Sequence, residues 1–176
     1  MQWGKTIKML NYLILDIDGT LTDGGVYYDN TGNELKKFCT KDGTGIIMTI
    51  TSGITPIVLT GRECAATTRR MSELGITELH QAVKNKTEWL KNWMKQNNIQ
   101  KDSVGYIGDD VNDIGPMKLC GFVACPADAV DEVKKIADYI SKVNGGSGVV
   151  RDVIKHLLVK EKLWNQVLNK AYGAGV

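Results

Sequence analysis

Three short apolar runs in the chain each end at a cluster of polar residues. Residues 10–15 lead into Asp16-Ile17-Asp18-Gly19-Thr20, residues 57–59 into Thr60-Gly61-Arg62, and residues 104–107 into Gly108-Asp109-Asp110-Val111-Asn112-Asp113. A short apolar run that stops at turn residues is typical of a strand buried in a parallel sheet. Ligands bind such sheets beyond the carboxyl ends of the strands, so we expect the three polar clusters to meet at one site.

Helical patterns separate these runs. We predict helices over 63–74, 87–97, 114–119 and 128–137, a helix that starts near residue 148, and further strands near 122–124 and 139–140. This alternation is typical of an α/β fold with a doubly wound, Rossmann-like parallel sheet and helices on both faces. A chain of 176 residues suffices for one such domain. We therefore expect a single domain over 1–176, with a core over about 8–160 and a C-terminal tail over about 163–176.

One segment departs from the alternation. Residues 26–29 and 33–39 have the pattern of two strands around the turn Asn30-Thr31-Gly32. A β-hairpin should therefore project from the first crossover of the sheet. A helix over about 44–51 is predicted to follow it and to end at Gly53.

The composition excludes several classes of partner. A formal charge of +2 arises from 22 basic and 20 acidic residues that are mixed along the chain, so no basic stripe favours nucleic acid. No apolar run approaches the ~20 residues of a membrane span, and the N-terminus lacks the apolar region of a signal peptide, which predicts a cytoplasmic protein without a membrane partner. The four cysteines, Cys39, Cys64, Cys120 and Cys125, lack metal-site spacing and are expected to be free thiols.

The acids at the strand ends predict a Mg²⁺ site and a reaction. Clustered carboxylates repel one another unless a cation binds among them, and oxygen ligands without sulfur or imidazole favour Mg²⁺. Asp16 and Asp18 are two residues apart in extended chain, so both can face one substrate. Asp16 is then a candidate nucleophile towards a phosphate monoester, and Asp18 a candidate acid and base. Thr60 and Lys86 are candidates to hold the phosphoryl oxygens, with Lys84 as a rival for the lysine.

In this order, the motifs resemble those of the haloacid dehalogenase (HAD) superfamily of aspartate-nucleophile phosphatases. They are Asp16-Ile17-Asp18-Gly19-Thr20-Leu21-Thr22, Leu59-Thr60-Gly61-Arg62, Lys86, and Gly108-Asp109-Asp110-Val111-Asn112-Asp113. The resemblance implies that Asp16 is both nucleophile and metal ligand, that Asp18 also gives the metal its backbone carbonyl, and that Asp109 completes the metal site. It further implies that Thr60 and Lys86 hold the phosphate.

Further stretches resemble the capless branch of that superfamily, which contains 3-deoxy-D-manno-octulosonate 8-phosphate (KDO 8-phosphate) phosphatase. They are Asp23-Gly24-Gly25-Val26-Tyr27, Gly32-Asn33-Glu34-Leu35-Lys36-Lys37-Phe38, Lys41-Asp42-Gly43-x-Gly45-Ile46 and Gly145-Gly146-x-Gly148-x-x-Arg151. This likeness implies a homotetramer assembled through the hairpin, with neighbouring subunits in place of a cap domain. It also implies a sugar-acid phosphate as substrate. The residues implied to line the pocket are Asp18, Cys39, Thr40, Lys41, Asp42, Gly43, Gly61, Arg62, Arg70 and Lys86.

The motifs are compatible with other substrates and with two roles that involve no catalysis. The same branch acts on nine-carbon sialic-type acids, such as KDN 9-phosphate or N-acylneuraminate 9-phosphate. Arg62 favours the eight-carbon acid, because the KDN-type enzymes tend to have an acidic residue at that position. Cys39-Thr40 departs from the Asn or Asp with a following aliphatic residue that the family often has. Non-enzyme alternatives are a receiver-like phosphoacceptor domain, whose order of motifs differs, and an inactive tetramerisation module.

Overall fold

The strands of the computed structural model, which describes residues 10–175, follow the apolar runs of the sequence. They are β1 (Tyr12–Leu15), β2 (Tyr27–Tyr28), β3 (Glu34–Leu35), β4 (Thr55–Leu59), β5 (Glu78–His80), β6 (Val104–Ile107), β7 (Phe122–Cys125) and β8 (Tyr139–Ile140). Six of them form one parallel sheet in the order β5-β4-β1-β6-β7-β8. The predicted doubly wound α/β sheet is confirmed.

The described residues also form seven α-helices, of which the last two follow β8. They are α1 (Thr40–Thr51), α2 (Ala65–Glu73), α3 (Lys86–Gln96), α4 (Val111–Met117), α5 (Asp131–Lys134), α6 (Val149–Lys160) and α7 (Trp164–Tyr172). Alternate residues of β1 point to opposite faces of the sheet, as the pleat requires. Leu13 packs in one apolar cluster with Ile46 of α1 and Ile154 of α6, whereas Ile14 packs in another with Leu90 of α3. The helices therefore cover both faces of the sheet, and β1 lies at its centre.

The predicted hairpin is present, but its strands are shorter than expected. Tyr27 pairs with Leu35 and Tyr28 with Glu34 in antiparallel register. Asp29 closes the turn, because its carboxylate accepts hydrogen bonds from both the backbone and the side chain of Thr31. The apolar residues exposed on the hairpin are Val26, Tyr27, Tyr28 and Leu35.

Several helix boundaries differ from the prediction. Helix α1 begins at Thr40 rather than near residue 44, because Cys39 is extended and the helix continues through Asp42-Gly43, which resembles a turn in sequence.

Helix α4 begins at Val111 rather than residue 114, since the Asp110 carboxylate accepts a hydrogen bond from the Val111 N–H at 2.7 Å. Helix α5 is shorter than predicted. Part of the expected segment forms turns, and the Asp128 carboxylate there accepts a hydrogen bond from the backbone N–H of Gly145 at 2.9 Å.

The predicted C-terminal tail contains a helix of its own. Helix α7 packs against α1 and α6, with Val167 buried between them. The Arg151 guanidinium lies 4.5 Å from the centre of the Trp164 ring, a cation–π contact that joins α6 to α7. The predicted start of the core at residue 8 and the last residue of the tail, 176, lie outside the described residues.

Two further expectations concern the chain as a whole. The four cysteines are free thiols. In residues 10–175, no helix has both the length and the apolar character that crossing a bilayer requires.

Candidate active site

The three polar clusters meet at the carboxyl edge of the sheet. In the sheet β1 lies between β4 and β6, with Leu15 paired to Val58 on one side and to Ile107 on the other. The residues that follow the three strands are therefore neighbours: Asp16 after β1, Thr60 after β4, and Gly108 with Asp109 after β6. The expected convergence follows from strand order alone, because the carboxyl ends of parallel strands share one edge.

Three carboxylates form the centre of this site. Asp16, Asp109 and Asp113 each offer an oxygen within 4.8 Å of the others. Asp113 lies in the first turn of α4 and accepts hydrogen bonds from the Tyr106 hydroxyl at 2.7 Å and the Asp109 N–H at 3.1 Å. A side chain at Gly108 would overlap the Asp113 carboxylate, since a Cβ there would lie 2.4 Å from Oδ2. Glycine at that position therefore admits the third acid.

Lys86 is buried against these carboxylates. It is the first residue of α3, after the capping residue Asn85, and its ammonium donates to Asp16 Oδ1 and Asp113 Oδ1, both at 2.7 Å. Lys84, the rival candidate, is exposed. Helix α3 thus directs Lys86, rather than Lys84, into the site.

Thr60 and Thr20 border the same centre. Thr60 is buried at the end of β4, and its hydroxyl accepts a long 3.4 Å hydrogen bond from the Arg62 N–H. Thr20 donates from its hydroxyl to Asp109 Oδ1 at 3.0 Å. Gly19 has φ +88°, and a Cβ there would lie 2.0 Å from Asp109 Oδ2, so only glycine lets the turn after β1 approach this acid.

Asp18 lies apart from the three clustered carboxylates. Its side chain is 27% exposed and is ion-paired with the ammonium of Lys36, which the hairpin carries. Lys36 also lies 2.9 Å from Glu34 Oε1, and Glu34 Oε2 accepts a hydrogen bond from Arg62 at 3.0 Å. The hairpin therefore has two features: charged groups that lie beside Asp18 and Arg62, and apolar side chains that are exposed to solvent.

The predicted pocket segment, residues 39–43, forms the cap and first turn of α1. Thr40 and Lys41 are exposed, and Arg70 lies against Gly43, where a Cβ would be 2.7 Å from its guanidinium. Asp42 is buried instead. Its carboxylate accepts hydrogen bonds from the backbone N–H groups of Gly148 at 3.0 Å and Val150 at 2.7 Å, at the start of α6. Its contacts in this structure thus tie α1 to α6.

The glycine loop before α6 packs directly on the turn after β1. A Cβ at Gly145 would lie 1.9 Å from the carbonyl oxygen of Gly19, and the Gly146 N–H donates to the Thr20 carbonyl at 3.0 Å. Only a residue without a side chain permits this approach. The loop therefore supports the backbone that carries Asp18.

Comparison with known proteins assigns this arrangement to a family. A family model described as haloacid dehalogenase-like hydrolase matches residues 63–153. The chain is also 38% identical over 152 residues to the 3-deoxy-D-manno-octulosonate 8-phosphate phosphatase KdsC of Escherichia coli (strain K12), across 86% of this chain and 81% of that protein. The chain belongs to the haloacid dehalogenase-like hydrolases. The receiver-domain alternative is set aside by this membership.

Two solved HAD relatives have the same fold. The 3-deoxy-D-manno-octulosonate 8-phosphate phosphatase of Moraxella catarrhalis, solved with a magnesium ion, a phosphate ion and a KDO molecule, has a TM-score of 0.85 and 32% identity over 89% of this chain and 90% of its own. The cobalt-bound deoxy-D-mannose-octulosonate 8-phosphate phosphatase of Haemophilus influenzae has a TM-score of 0.82 and 33% identity over 88% and 91%. The chain is an enzyme of the HAD phosphatase type.

The donor set of this HAD site fits a divalent cation. Burial, with the nearby Asp113 as the next cause, raises the pKa of Asp16 well above its usual value and the pKa of Asp109 to about 7. Burial alone would lower the pKa of Lys86, but the carboxylates of Asp16 and Asp113 outweigh it and the net shift is upward. One ammonium therefore faces three acids, and a cation bound to their oxygens would balance the remaining negative charge.

Sequence reasoning missed some residues of this site. Asp113 belongs to the motif over residues 108–113 but was not among the predicted metal ligands. The sequence did contain an indication, since Asp113 follows Asp109 by four residues. A helix that starts between them brings the Asp113 carboxylate back towards Asp109. Lys36 and Glu34 belong to the stretch from Gly32 to Phe38, for which the sequence predicted no role in the site. No local pattern shows that the Lys36 ammonium reaches Asp18, which precedes it by 18 residues.

Proposed function

We propose that the chain hydrolyses the phosphate monoester of a sugar acid, most specifically KDO 8-phosphate to KDO and phosphate, with Mg²⁺ as the metal. The observation that carries this proposal is the contact of the Lys86 ammonium with Asp16, beside the acids Asp109 and Asp113. The relatives named for this reaction, one of them solved with magnesium, phosphate and KDO, support the choice of substrate and metal.

The mechanism assigns a separate task to each residue. Asp16 attacks phosphorus and becomes an aspartyl phosphate, while Asp18 protonates the leaving alcohol oxygen and then removes a proton from the attacking water. Lys86 and the Thr60 hydroxyl hold non-bridging oxygens, where negative charge must be stabilised. Mg²⁺, held by Asp16, Asp109 and the backbone carbonyl of Asp18, would neutralise phosphoryl charge and orient the ester. Asp113 keeps Lys86 directed towards Asp16, because both share its ammonium.

The substrate's carboxylate needs a cation near the mouth of the site. Arg62 is 43% exposed and lies between the hairpin and the end of β4. Arg70 belongs to α2 and lies beside Gly43, which is in the first turn of α1. A planar guanidinium pairs with a carboxylate in a fork, which suits a sugar acid better than a neutral sugar. We therefore assign Arg62 and Arg70 to the carboxylate end of the substrate. The residues proposed for the pocket wall are Cys39, Thr40, Lys41, Gly43 and Gly61, while the buried Asp42 holds α1 against α6.

Phosphate release from a substrate panel tests the proposal. The panel holds KDO 8-phosphate, KDN 9-phosphate, N-acetylneuraminate 9-phosphate, simple hexose phosphates and 4-nitrophenyl phosphate, each with Mg²⁺ and with excess EDTA. We expect KDO 8-phosphate to be preferred, EDTA to stop the reaction, and Asp16→Asn to abolish turnover with the fold intact. Preference for a nine-carbon acid would keep the mechanism and overturn the substrate, and no release from any ester would favour the inactive-module alternative.

We also propose a cytoplasmic homotetramer assembled through the hairpin, with neighbouring subunits closing the site in place of a cap. The exposed apolar residues Val26, Tyr28 and Leu35 support an interface there, since such residues seldom cluster on a free surface. Free thiols at all four cysteines suit a reducing compartment. Light scattering should give four times the chain mass, and Tyr28→Glu with Leu35→Glu should lower it. An unchanged mass would refute the hairpin interface.

A further inference from the structure

Four side chains of alternating charge run from Asp18 to the protein surface. The Asp18 carboxylate is ion-paired with Lys36, Lys36 lies 2.9 Å from Glu34, and the second oxygen of Glu34 lies 3.0 Å from the Arg62 guanidinium. Glu34 and Lys36 belong to the hairpin segment, whereas Asp18 follows β1 and Arg62 follows β4. The row therefore links three separate parts of the chain at the mouth of the site.

Burial distinguishes this row from an ordinary surface ion pair. The Lys36 side chain is 2% exposed and Glu34 is 14% exposed, whereas the adjacent Lys37 is 69% exposed beside Asp23 at 3.5 Å. Removing an ammonium from water is costly unless it is matched by anions, and Lys36 is matched on two sides. An exposed pair such as Lys37–Asp23 contributes little, because water already solvates both charges. Lys37 is thus a natural control for Lys36.

Neither the local backbone nor the cluster of three acids positions the Asp18 carboxylate. Asp18 lies in an irregular turn immediately before Gly19, which has φ +88°, and its carboxylate takes no part in the group formed by Asp16, Asp109 and Asp113. An acid that must reach a leaving oxygen loses much of its effect when its position varies by about 1 Å. The contact that the Asp18 carboxylate does make is the ion pair with Lys36.

We propose that Lys36 is a positioning residue for Asp18, and that Glu34, anchored by Arg62, holds Lys36 in place. The inference rests on the proposed role of Asp18 as acid and base. It assigns a catalytic consequence to the hairpin of the same subunit, separate from any part the hairpin has in assembly. Lys36 acts through Asp18 and does not replace it.

The dependence on leaving group separates this role from a structural one. An alkyl phosphate needs its leaving oxygen protonated, whereas 4-nitrophenolate leaves readily without help. For Lys36→Met we expect kcat/KM for KDO 8-phosphate to fall about 10- to 100-fold, at or below the lower end of the ~10²–10⁴-fold that acid–base catalysis contributes, because Asp18 is displaced but still present. The value of kcat/KM reports formation of the aspartyl phosphate alone, whereas kcat also contains its hydrolysis, in which Asp18 is the base for either ester. With 4-nitrophenyl phosphate kcat/KM should therefore fall less than about threefold, and Lys37→Met should leave both values unchanged.

Variants that keep the shape or the charge of a side chain test the role of Glu34 with less risk of misfolding. Glu34→Gln keeps the shape of the side chain and should show the same leaving-group pattern with a smaller loss. The double variant should lose no more than Lys36→Met alone, because Glu34 acts through Lys36. Lys36→Arg, which keeps the charge, should recover part of the rate on the alkyl ester.

The outcomes separate this inference from the proposed function. An equal loss of kcat/KM on both esters, or additive losses in the double variant, would overturn the positioning role. If the wild type hydrolyses the aryl ester but not KDO 8-phosphate, the proposed substrate is wrong, and the same comparison on the best alkyl phosphate of the panel still decides the role of Lys36. A leaving-group-selective loss on that ester supports it, and a uniform loss refutes it.

Discussion

Replacement of Lys86 by Met should destabilise the protein in a metal-dependent way. The Lys86 ammonium is 2% exposed and contacts two buried acids, Asp16 and Asp113, each at 2.7 Å. Met keeps most of the side-chain volume but leaves three neighbouring carboxylates without their cation. Removing one partner of a buried ion pair costs about 3–5 kcal/mol. We expect the lower end, because Asp16 already has a raised pKa and can take up a proton.

The metal should offset part of this loss. A ligand that binds the folded state at 100 times its dissociation constant adds about 2.7 kcal/mol of stability. Mg²⁺ faces one positive charge fewer in the variant, so its binding should tighten and the stability gap to the wild type should narrow by at least about 1 kcal/mol.

Urea denaturation in EDTA and in Mg²⁺ measures both effects, with Lys84→Met as the matched control. Lys84 lies two residues away and is exposed, so its replacement should change stability by less than about 0.5 kcal/mol. A Lys86→Met variant within about 1 kcal/mol of the wild type in EDTA would refute the buried-charge argument. A gap that is the same with and without Mg²⁺ would refute the placement of the metal among these acids.

Three further predictions follow from buried contacts. Tyr106→Phe removes a 2.7 Å hydrogen bond to the charged Asp113, and denaturation should show a loss of about 1.5–3 kcal/mol. Burial raises the pKa of Asp42 to about 6, although the hydrogen bonds from backbone N–H groups act to lower it. Between pH 4 and 6 the folded state therefore binds more protons at this residue than the unfolded state does. The stability of the wild type relative to Asp42→Asn should therefore fall by up to about 3 kcal/mol as pH rises from 4 to 7, and a flat difference would contradict this sign. Gly145→Ala would place a Cβ 1.9 Å from the Gly19 carbonyl, so phosphatase assays should show kcat reduced at least about tenfold, and an unchanged rate would show that the loop yields freely.

Local patterns in the sequence were sufficient for the sheet and for most of the site. Buried parallel strands need continuous apolar residues, and the polar residues that follow them can lie only at the carboxyl edge, so the positions of Asp16, Thr60 and Asp109 follow from strand order. The hairpin was predicted from its turn residues. The family motifs then distinguished Lys86 from Lys84, and the structure brings Lys86 into contact with Asp16 across 70 residues of sequence.

Other features depend on contacts between distant segments, which no local pattern encodes. Asp42-Gly43 resembles a turn, yet α1 passes through it because the Asp42 carboxylate meets N–H groups more than 100 residues later, at the start of α6. Asp113 joins the acid cluster because α4 begins at Val111, where Asp110 caps it. The alignment of Lys36 with Asp18 depends on how the hairpin folds over the site. Sequence patterns alone were enough to predict Asp16, Thr60 and Lys86 for one site. Which charged groups meet there depends on tertiary packing, since burial and ion pairing bring together elements far apart in the chain.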